Sequence, residues 1–144
     1  MFNEIVVAFD GSEHSELAVK AACSVAEKYD ANLHIVHAPE VYDQAVAMGA
    51  SAVVIPVSEE ALQESGESMI SRAVALAEKA GRPAVSTEIL AAPAADAIIS
   101  FAEKKNAELI VSGRRGLGNL QGMILGSVSQ RLASSAECAV LTVK

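Results

Sequence analysis

The sequence predicts a single α/β domain over residues 1–144, in which a doubly wound, five-stranded parallel sheet carries helices on both faces. Short apolar runs, of which residues 5–9 are the clearest, are typical of strands buried on both faces. These runs alternate with segments whose apolar residues recur every three or four positions, as in helices that cover a sheet. The 144 residues suit one domain. A composition that is 51% hydrophobic but only 3% aromatic leaves the core to Ala, Val, Ile and Leu.

The first two predicted strands flank a helix. After the strand at residues 5–9, Ser12 is placed to cap a helix, and Glu13 favours its N-terminus through the helix dipole. Apolar residues fall on one face of this helix as far as about Tyr29. Residues 33–37 then form the second strand. Two strands separated by one helix are the start of a parallel sheet with right-handed crossovers.

A long connection precedes the second helix. Residues 39–57 are rich in small side chains, and we expect them to form an irregular segment of a length often associated with function. Ser58 caps the second helix, Gly66 weakens its first half, and Gly81 stands where a C-cap is expected. Residues 85–90 follow as the third strand.

The remaining elements complete the alternation. Pro93 suits the first turn of a third helix, which has a regular apolar stripe. Residues 109–112 form the fourth strand, a glycine-rich loop leads to a fourth helix from about Ser127, and residues 139–143 form the last strand. Open parallel sheets bind ligands beyond the carboxyl ends of their strands, so this is where a site is expected.

The charge of the chain is uneven. A net charge of −7 disfavours nucleic acid or an anionic membrane as the main partner. In the last quarter of the chain, however, Arg114, Arg115, Arg131 and Lys144 outnumber a single acidic residue, Glu137. That region could hold a small anion, although the same pattern also fits a solvated surface.

The chain carries no visible signal for export or membrane insertion. No apolar run is long and charge-free enough to span a bilayer, and no basic segment precedes an apolar one at the N-terminus. Cys23 and Cys138 lie far apart without metal-ligand spacing, and we expect both to be reduced core thiols. These features predict a cytoplasmic protein.

The stretch from residue 113 to residue 129 is the most informative for function. Gly113 and Gly116 allow successive main-chain amides to approach an anion, and Gly126 opens a helix whose free amides favour phosphate. Ser127 and Ser129 add hydroxyl groups. The segment is neither a Walker A loop nor a dinucleotide fingerprint, since it has no Gly-Lys-Ser/Thr ending and does not follow the first strand. A mobile glycine-rich loop without a ligand is the alternative.

The order and spacing of these residues resemble the universal stress protein family. The spacing Gly113-x2-Gly116-x9-Gly126-Ser127 is similar to the nucleotide-binding motif of its ATP-binding members, and the opening Asp10-Gly11-Ser12 resembles the start of the family. The resemblance covers the whole chain. It implies a sheet of strand order 3-2-1-4-5 with four helices.

The same resemblance implies a nucleotide site. Asp10 would contact the ribose or the base, and Val36 would contact adenine through its main chain. The other implied site residues line the pocket or surround the ribose and phosphates: Ala8, Phe9, Ser112, Gly113, Arg114, Gly116, Gly126, Ser127, Val128 and Ser129. The implied cofactor is ATP, with ADP or AMP as alternatives and with or without Mg²⁺. No catalytic residue and no dedicated metal ligand can be assigned from spacing.

Three functions follow as hypotheses. The first is a nucleotide-dependent regulatory or stress-response module, with an unidentified protein partner. The resemblance implies that it forms a homodimer through the last strand, for which residues 141–143 offer a suitable exposed apolar edge. The second is a slow ATPase, for which no positioned base is evident. The third is a dimeric interaction protein that does not use a nucleotide.

Overall fold

The structure is a computed structural model that describes residues 1–39, 58–91, 93–116 and 125–144, together with the main chain of two further strands at 44–48 and 51–55. In chain order the elements are β1 (Glu4–Ala8), α1 (Glu13–Tyr29), β2 (Asn32–His37), β3 (Gln44–Met48), β4 (Ser51–Ile55), α2 (Glu59–Lys79), β5 (Ser86–Ile89), α3 (Ala94–Lys104), β6 (Leu109–Gly113), α4 (Ser127–Ser135) and β7 (Ala139–Val143).

Five of the strands form one parallel sheet in the order β5-β2-β1-β6-β7. Counted without β3 and β4, this is the predicted order 3-2-1-4-5, and the prediction of an α/β domain with four helices is confirmed. The strands β2 and β5 are added on one side of β1, and β6 and β7 are added on the other side. At this switch point the carboxyl ends of β1 and β6 form a crevice between neighbouring strands.

The segment 39–57 differs from the prediction. Instead of an irregular connection, β3 and β4 form an antiparallel pair in which Gln44 lies opposite Ile55 and Met48 lies opposite Ser51. The sequence signal is weak because alanine, which occurs twice in β3, is depleted in strands. The prediction of an irregular segment is therefore wrong for these ten residues.

The helix caps follow the sequence closely. The Ser12 hydroxyl accepts from the Ser15 amide, and the Ser58 hydroxyl accepts from the Ala61 amide, both over 3.2 Å. Gly66 does not interrupt α2. A Cβ atom at this position would lie 2.9 Å from the Cδ1 atom of Ile89, so the glycine allows α2 to approach β5 closely.

Two apolar layers cover the faces of the sheet. Ile5, Val7 and Phe9 pack with α1 and α2, whereas Val6 and Ala8 pack with α3 and α4, as the alternation of a strand requires. None of the described helices is long and apolar enough to cross a membrane. The prediction of a core thiol is confirmed for Cys23, which is a buried free thiol, and burial raises the pKa of its side chain. Cys138 is also a free thiol, but it is only half-buried.

The amino ends of β1 and β6 are joined by the carboxylate of Glu108. It accepts hydrogen bonds from the amides of Asn3 and Glu4, over 2.5 and 2.9 Å, and from the side chain of Asn3 over 2.8 Å. The amide of Asn3, with that of Glu4, holds the pKa of Glu108 below its ordinary value of 4.5.

We predict that this carboxylate makes the protein sensitive to acid. Because the pKa of Glu108 is lower in the folded protein than in the unfolded chain, its contribution is present above the unfolded pKa and is lost as the pH falls through the folded pKa. Glu108→Gln should lower the urea midpoint at pH 7 and make it depend less on pH below about 4.5. The exposed Glu103→Gln variant is the control, and equal acid dependence of the two variants would contradict the prediction.

Candidate functional site

The carboxyl end of β1 continues into a tight turn that places Asp10. Its Oδ1 atom accepts from the Ser12 amide over 2.9 Å, and Gly11 adopts a φ of +85°, which favours glycine. The Ser12 hydroxyl lies 3.5 Å from the carbonyl oxygen of Arg115. These bonds leave the second carboxylate oxygen of Asp10 beside Gly116, where an added Cβ atom would lie only 2.5 Å from it. Asp10 and Gly116 are therefore brought together, as their positions after β1 and β6 predict.

The carboxyl end of β6 is tied to the start of α4. The Arg114 amide donates to the Val143 carbonyl over 2.7 Å, and the Arg114 carbonyl accepts from the Gly126 amide and the Ser129 hydroxyl, both over 2.8 Å. The buried Ser129 hydroxyl also lies 3.0 Å from the Gly126 carbonyl. Arg114 is thus the point at which the first and last glycines of the motif are joined.

The N-terminus of α4 differs from those of α1 and α2. Those two helices have a serine cap and acidic residues in the first turn, whereas α4 has Gly126 as its N-cap, with no side-chain cap and no acidic residue in its first turn. The first intrahelical bond runs from the Gln130 amide to the Gly126 carbonyl. The amides of Ser127, Val128 and Ser129 therefore have no acceptor within the helix, and the dipole of α4 favours an anion at this end.

Three buried polar atoms near this rim have no hydrogen-bond partner among the described residues: Nδ1 of His14, Oγ of Ser112 and Nε of Arg114. Buried polar groups are normally paired, so unpaired ones need an explanation, and a ligand is one. Arg114 Nε is a fixed cationic donor suited to phosphate. His14 adjoins Gly113, since a Cβ atom added at Gly113 would lie 2.9 Å from the His14 Cβ atom.

The apolar residues of the predicted site are divided between the two faces of the sheet. Ala8, Val36 and Val128 belong to the apolar layer of α3 and α4. Phe9 is buried in the opposite layer, where the Arg72 guanidinium of α2 lies 5.6 Å from the centre of its ring. The side chain of Phe9 is thus separated from the others, and only its main chain borders the rim.

Val36 lies deeper than its predicted role suggests. It is fully buried, and its carbonyl accepts from the Phe9 amide over 2.9 Å as part of the sheet. Ala38, two positions further along the chain, is half-buried and follows the end of β2. Sequence reasoning placed the end of β2 correctly but did not consider Ala38.

Two histidines lie at the rim, and neither is among the site residues that the sequence predicts. The structure gives His14 a buried, unpaired Nδ1 atom and places His37 Nδ1 2.8 Å from the Phe9 carbonyl. Within the described ranges, no group of three His, Cys, Asp or Glu side chains is arranged to hold a metal ion. His37 is the last residue of β2, and this position is a signal that the sequence offers; His14 lies in the first turn of α1 and has no such signal.

Comparison with known proteins places this arrangement in a family. A sequence model described as the Universal stress protein family matches residues 1–144. A universal stress protein of Methanocaldococcus jannaschii is 35% identical over 144 residues, which are 100% of this chain and 83% of the relative. A universal stress protein of Thermus aquaticus is 36% identical over 147 residues, with 100% of both chains covered.

A solved structure supports the same conclusion. The crystal structure of a universal stress protein in complex with cAMP has a TM-score of 0.74 and 26% identity, and the match covers 99% of this chain and 97% of that one. The family model and the curated relatives match the whole of a chain that has the fold and the glycine spacing described above. This chain therefore belongs to the universal stress protein family.

Proposed function

We propose that the protein binds an adenine nucleotide, ATP in the first place, and acts as a nucleotide-dependent regulatory module. The observation that carries this proposal is the start of α4. Three amides there have no acceptor within the helix, the preceding Gly126 amide is bonded to the Arg114 carbonyl, and the first turn of α4 has no acidic residue that would repel an anion. A relative of similar fold forms a complex with cAMP, which supports an adenine nucleotide as the ligand class.

The phosphates would lie at the end of the site formed by α4. Gly126 leaves room for them, the amides of Ser127, Val128 and Ser129 would donate to their oxygens, and Arg114 would supply a charged donor. Each hydrogen bond to a charged group is worth about 1.5–3 kcal/mol. Since micromolar affinity corresponds to about 8 kcal/mol, a few such bonds together with burial of the base suffice.

The nucleoside would lie towards β1 and β2. Asp10 has one carboxylate oxygen beside Gly116, where it could accept from ribose hydroxyls; Gly113 would border the ribose. Ala8 and Ser112 would border the base on the α3 side of the sheet, and the unpaired Ser112 hydroxyl offers it a hydrogen bond. Phe9 and Val36 would take part through their main chains, as the sequence predicts for Val36. Mg²⁺, where present, would be held chiefly by the phosphates.

The regulatory role would use a second copy of the chain. The strand β7 ends the sheet, and Leu141 is 38% exposed on it, so two copies could pair along this edge. A nucleotide changes such an assembly only if it binds two conformations with different affinity. We propose that a homodimer in the cytoplasm presents this nucleotide-dependent surface to a protein partner.

The test is to identify what the purified protein carries. After denaturation, the released ligand is separated by chromatography, and the ligand-free protein is titrated with ATP, ADP, AMP and cAMP by calorimetry. We expect an adenine nucleotide in near-stoichiometric amount, or saturable binding of at least one of the four. A protein that releases no nucleotide and gives no heat with any of them would refute the proposal.

A further inference from the structure

A second group of polar side chains lies at the opposite end of the sheet, near the amino ends of three adjacent strands. Glu4 of β1, His34 of β2 and Ser86 of β5 form a continuous hydrogen-bonded row. His34 Nε2 lies 2.6 Å from Glu4 Oε2, and His34 Nδ1 lies 2.6 Å from Ser86 Oγ. The parallel register pairs His34 directly with Ser86. The residues are 30 and 52 positions apart, so spacing along the sequence gives no sign of this arrangement.

The hydrogen bonds determine the tautomer of His34. The bond from His34 lowers the pKa of Glu4 from its ordinary value of 4.5, so this group is a carboxylate at neutral pH and can only accept. Its other oxygen accepts from the side-chain amide of Asn32 over 2.7 Å, which fixes its orientation. Nε2 of His34 must therefore carry the proton, and Nδ1 is left as a base that accepts from the Ser86 hydroxyl.

The base is sheltered, whereas the serine is a partly exposed residue. The His34 side chain is 6% exposed and has an edge-on contact with Phe101 of α3 at 6.2 Å, whereas Ser86 is partly exposed on the end strand of the sheet. Glu4 is bonded to the ring, and the ammonium of Lys105, which caps the C-terminus of α3, lies 5.5 Å from the centre of the Phe101 ring. Ser86 therefore lies at the partly exposed edge of the described sheet, outside the buried core.

The main chain of β5 offers one further donor. The Val85 amide donates to the Leu33 carbonyl of β2 over 2.8 Å. Successive amides of a strand alternate in direction, so the Ser86 amide is directed away from β2, towards the outer edge of the sheet. It is placed to donate to an oxygen that gains negative charge when the Ser86 hydroxyl attacks a carbonyl group.

We propose that Glu4, His34 and Ser86 form a second reactive site, in which Ser86 is a nucleophile towards small activated carboxylic esters. A nucleophile bonded to a base that a third group orients is the arrangement used in covalent catalysis. With a single amide donor and an open surface, the site suits esters with good leaving groups and not amides.

The reaction is an acyl transfer in two halves. Ser86 Oγ bonds to the ester carbonyl carbon while its proton passes to His34 Nδ1. The bond from that carbon to the leaving oxygen then breaks, and the proton returns from Nδ1 to the released alcohol. Water repeats the sequence on the acyl-serine and gives the free acid and the serine hydroxyl.

The test uses p-nitrophenyl acetate with the full-length protein. We expect acetylation of Ser86, located by peptide mass mapping, and its loss in Ser86→Ala. Loss of the base in His34→Gln should slow acetylation about 10²-fold or more. Ser71→Ala is the matched control, because the Ser71 hydroxyl donates only to the Glu67 carbonyl within α2, and it should leave the rate unchanged.

Two readouts keep the test decisive if His34→Gln folds poorly. The first is Glu4→Gln, which should slow acetylation at neutral pH while circular dichroism confirms the fold. The second is the position of the acetyl group, which peptide mass mapping should place on Ser86. Acetylation spread evenly over the serines, or a Ser86 rate unaffected in a folded His34→Gln or Glu4→Gln variant, would overturn the proposal.

Discussion

Replacing Gly126 by valine is expected to abolish nucleotide binding while the protein stays folded. A Cβ atom at this position would lie 3.4 Å from the Arg114 carbonyl oxygen, 3.4 Å from the Arg115 Cα atom and 3.7 Å from Ser129 Oγ, which are ordinary contacts. The backbone φ of −72° suits any residue. The protein alone therefore gives little reason for a glycine here. Gly126 directly precedes the free amides of α4, so a side chain at this position would stand beside them.

The size of the effect follows from the hydrogen bonds that would be lost. If the valine side chain keeps a phosphate from two amides, at about 1.5–3 kcal/mol each, affinity falls roughly 10²–10⁴-fold. Calorimetric titration with ATP measures this directly, and Gly126→Ala should give a smaller loss. Ala133→Val is the matched control, since it places the same side chain on the exposed surface of α4. Unchanged affinity in Gly126→Val would mean that the phosphates do not lie at this helix.

The fold could be predicted from sequence because each main-sheet strand and helix has a local signal. The serine caps at Ser12 and Ser58 and the buried strand that starts the chain are examples. The pair β3 and β4 was missed because the alanines of β3 carry little strand preference, although Val53, Val54 and Ile55 of β4 favour a strand.

The position of the site could be predicted from sequence, but the separate role of each glycine in it could not. The spacing of three glycines suggests one shared role, yet the structure gives each a different neighbour. Gly113 adjoins the backbone of α1, Gly116 adjoins the Asp10 carboxylate, and Gly126 faces the main chain of residues 114 and 115 and the Ser129 hydroxyl at ordinary contact distance. The row of Glu4, His34 and Ser86 was beyond reach from sequence, because only the strand order brings the three together.

Replacing Gly113 by alanine is expected to destabilise the fold itself. The added Cβ atom would lie 2.9 Å from the His14 carbonyl carbon, the His14 Cβ atom and the Ser15 amide nitrogen. Two of these atoms belong to the main chain in the first turn of α1, so no side-chain rotation relieves the contact. Either α1 or the end of β6 must shift, and overpacking of this kind costs about 1–3 kcal/mol.

Urea unfolding distinguishes this structural role from a role in binding. Gly113→Ala should lower the unfolding midpoint with an unchanged slope, whereas Gly126→Ala, with no contact closer than 3.4 Å, should keep the midpoint close to that of the parent protein. Equal midpoints for the two variants would contradict the prediction. Gly113 pairs with Val143 of β7, and the next residue, Arg114, is hydrogen-bonded to both Val143 and Gly126. A shift at Gly113 should therefore also disturb the start of α4. Gly113→Ala should therefore weaken nucleotide binding as a consequence of lost order, whereas Gly126→Val should weaken it with stability intact.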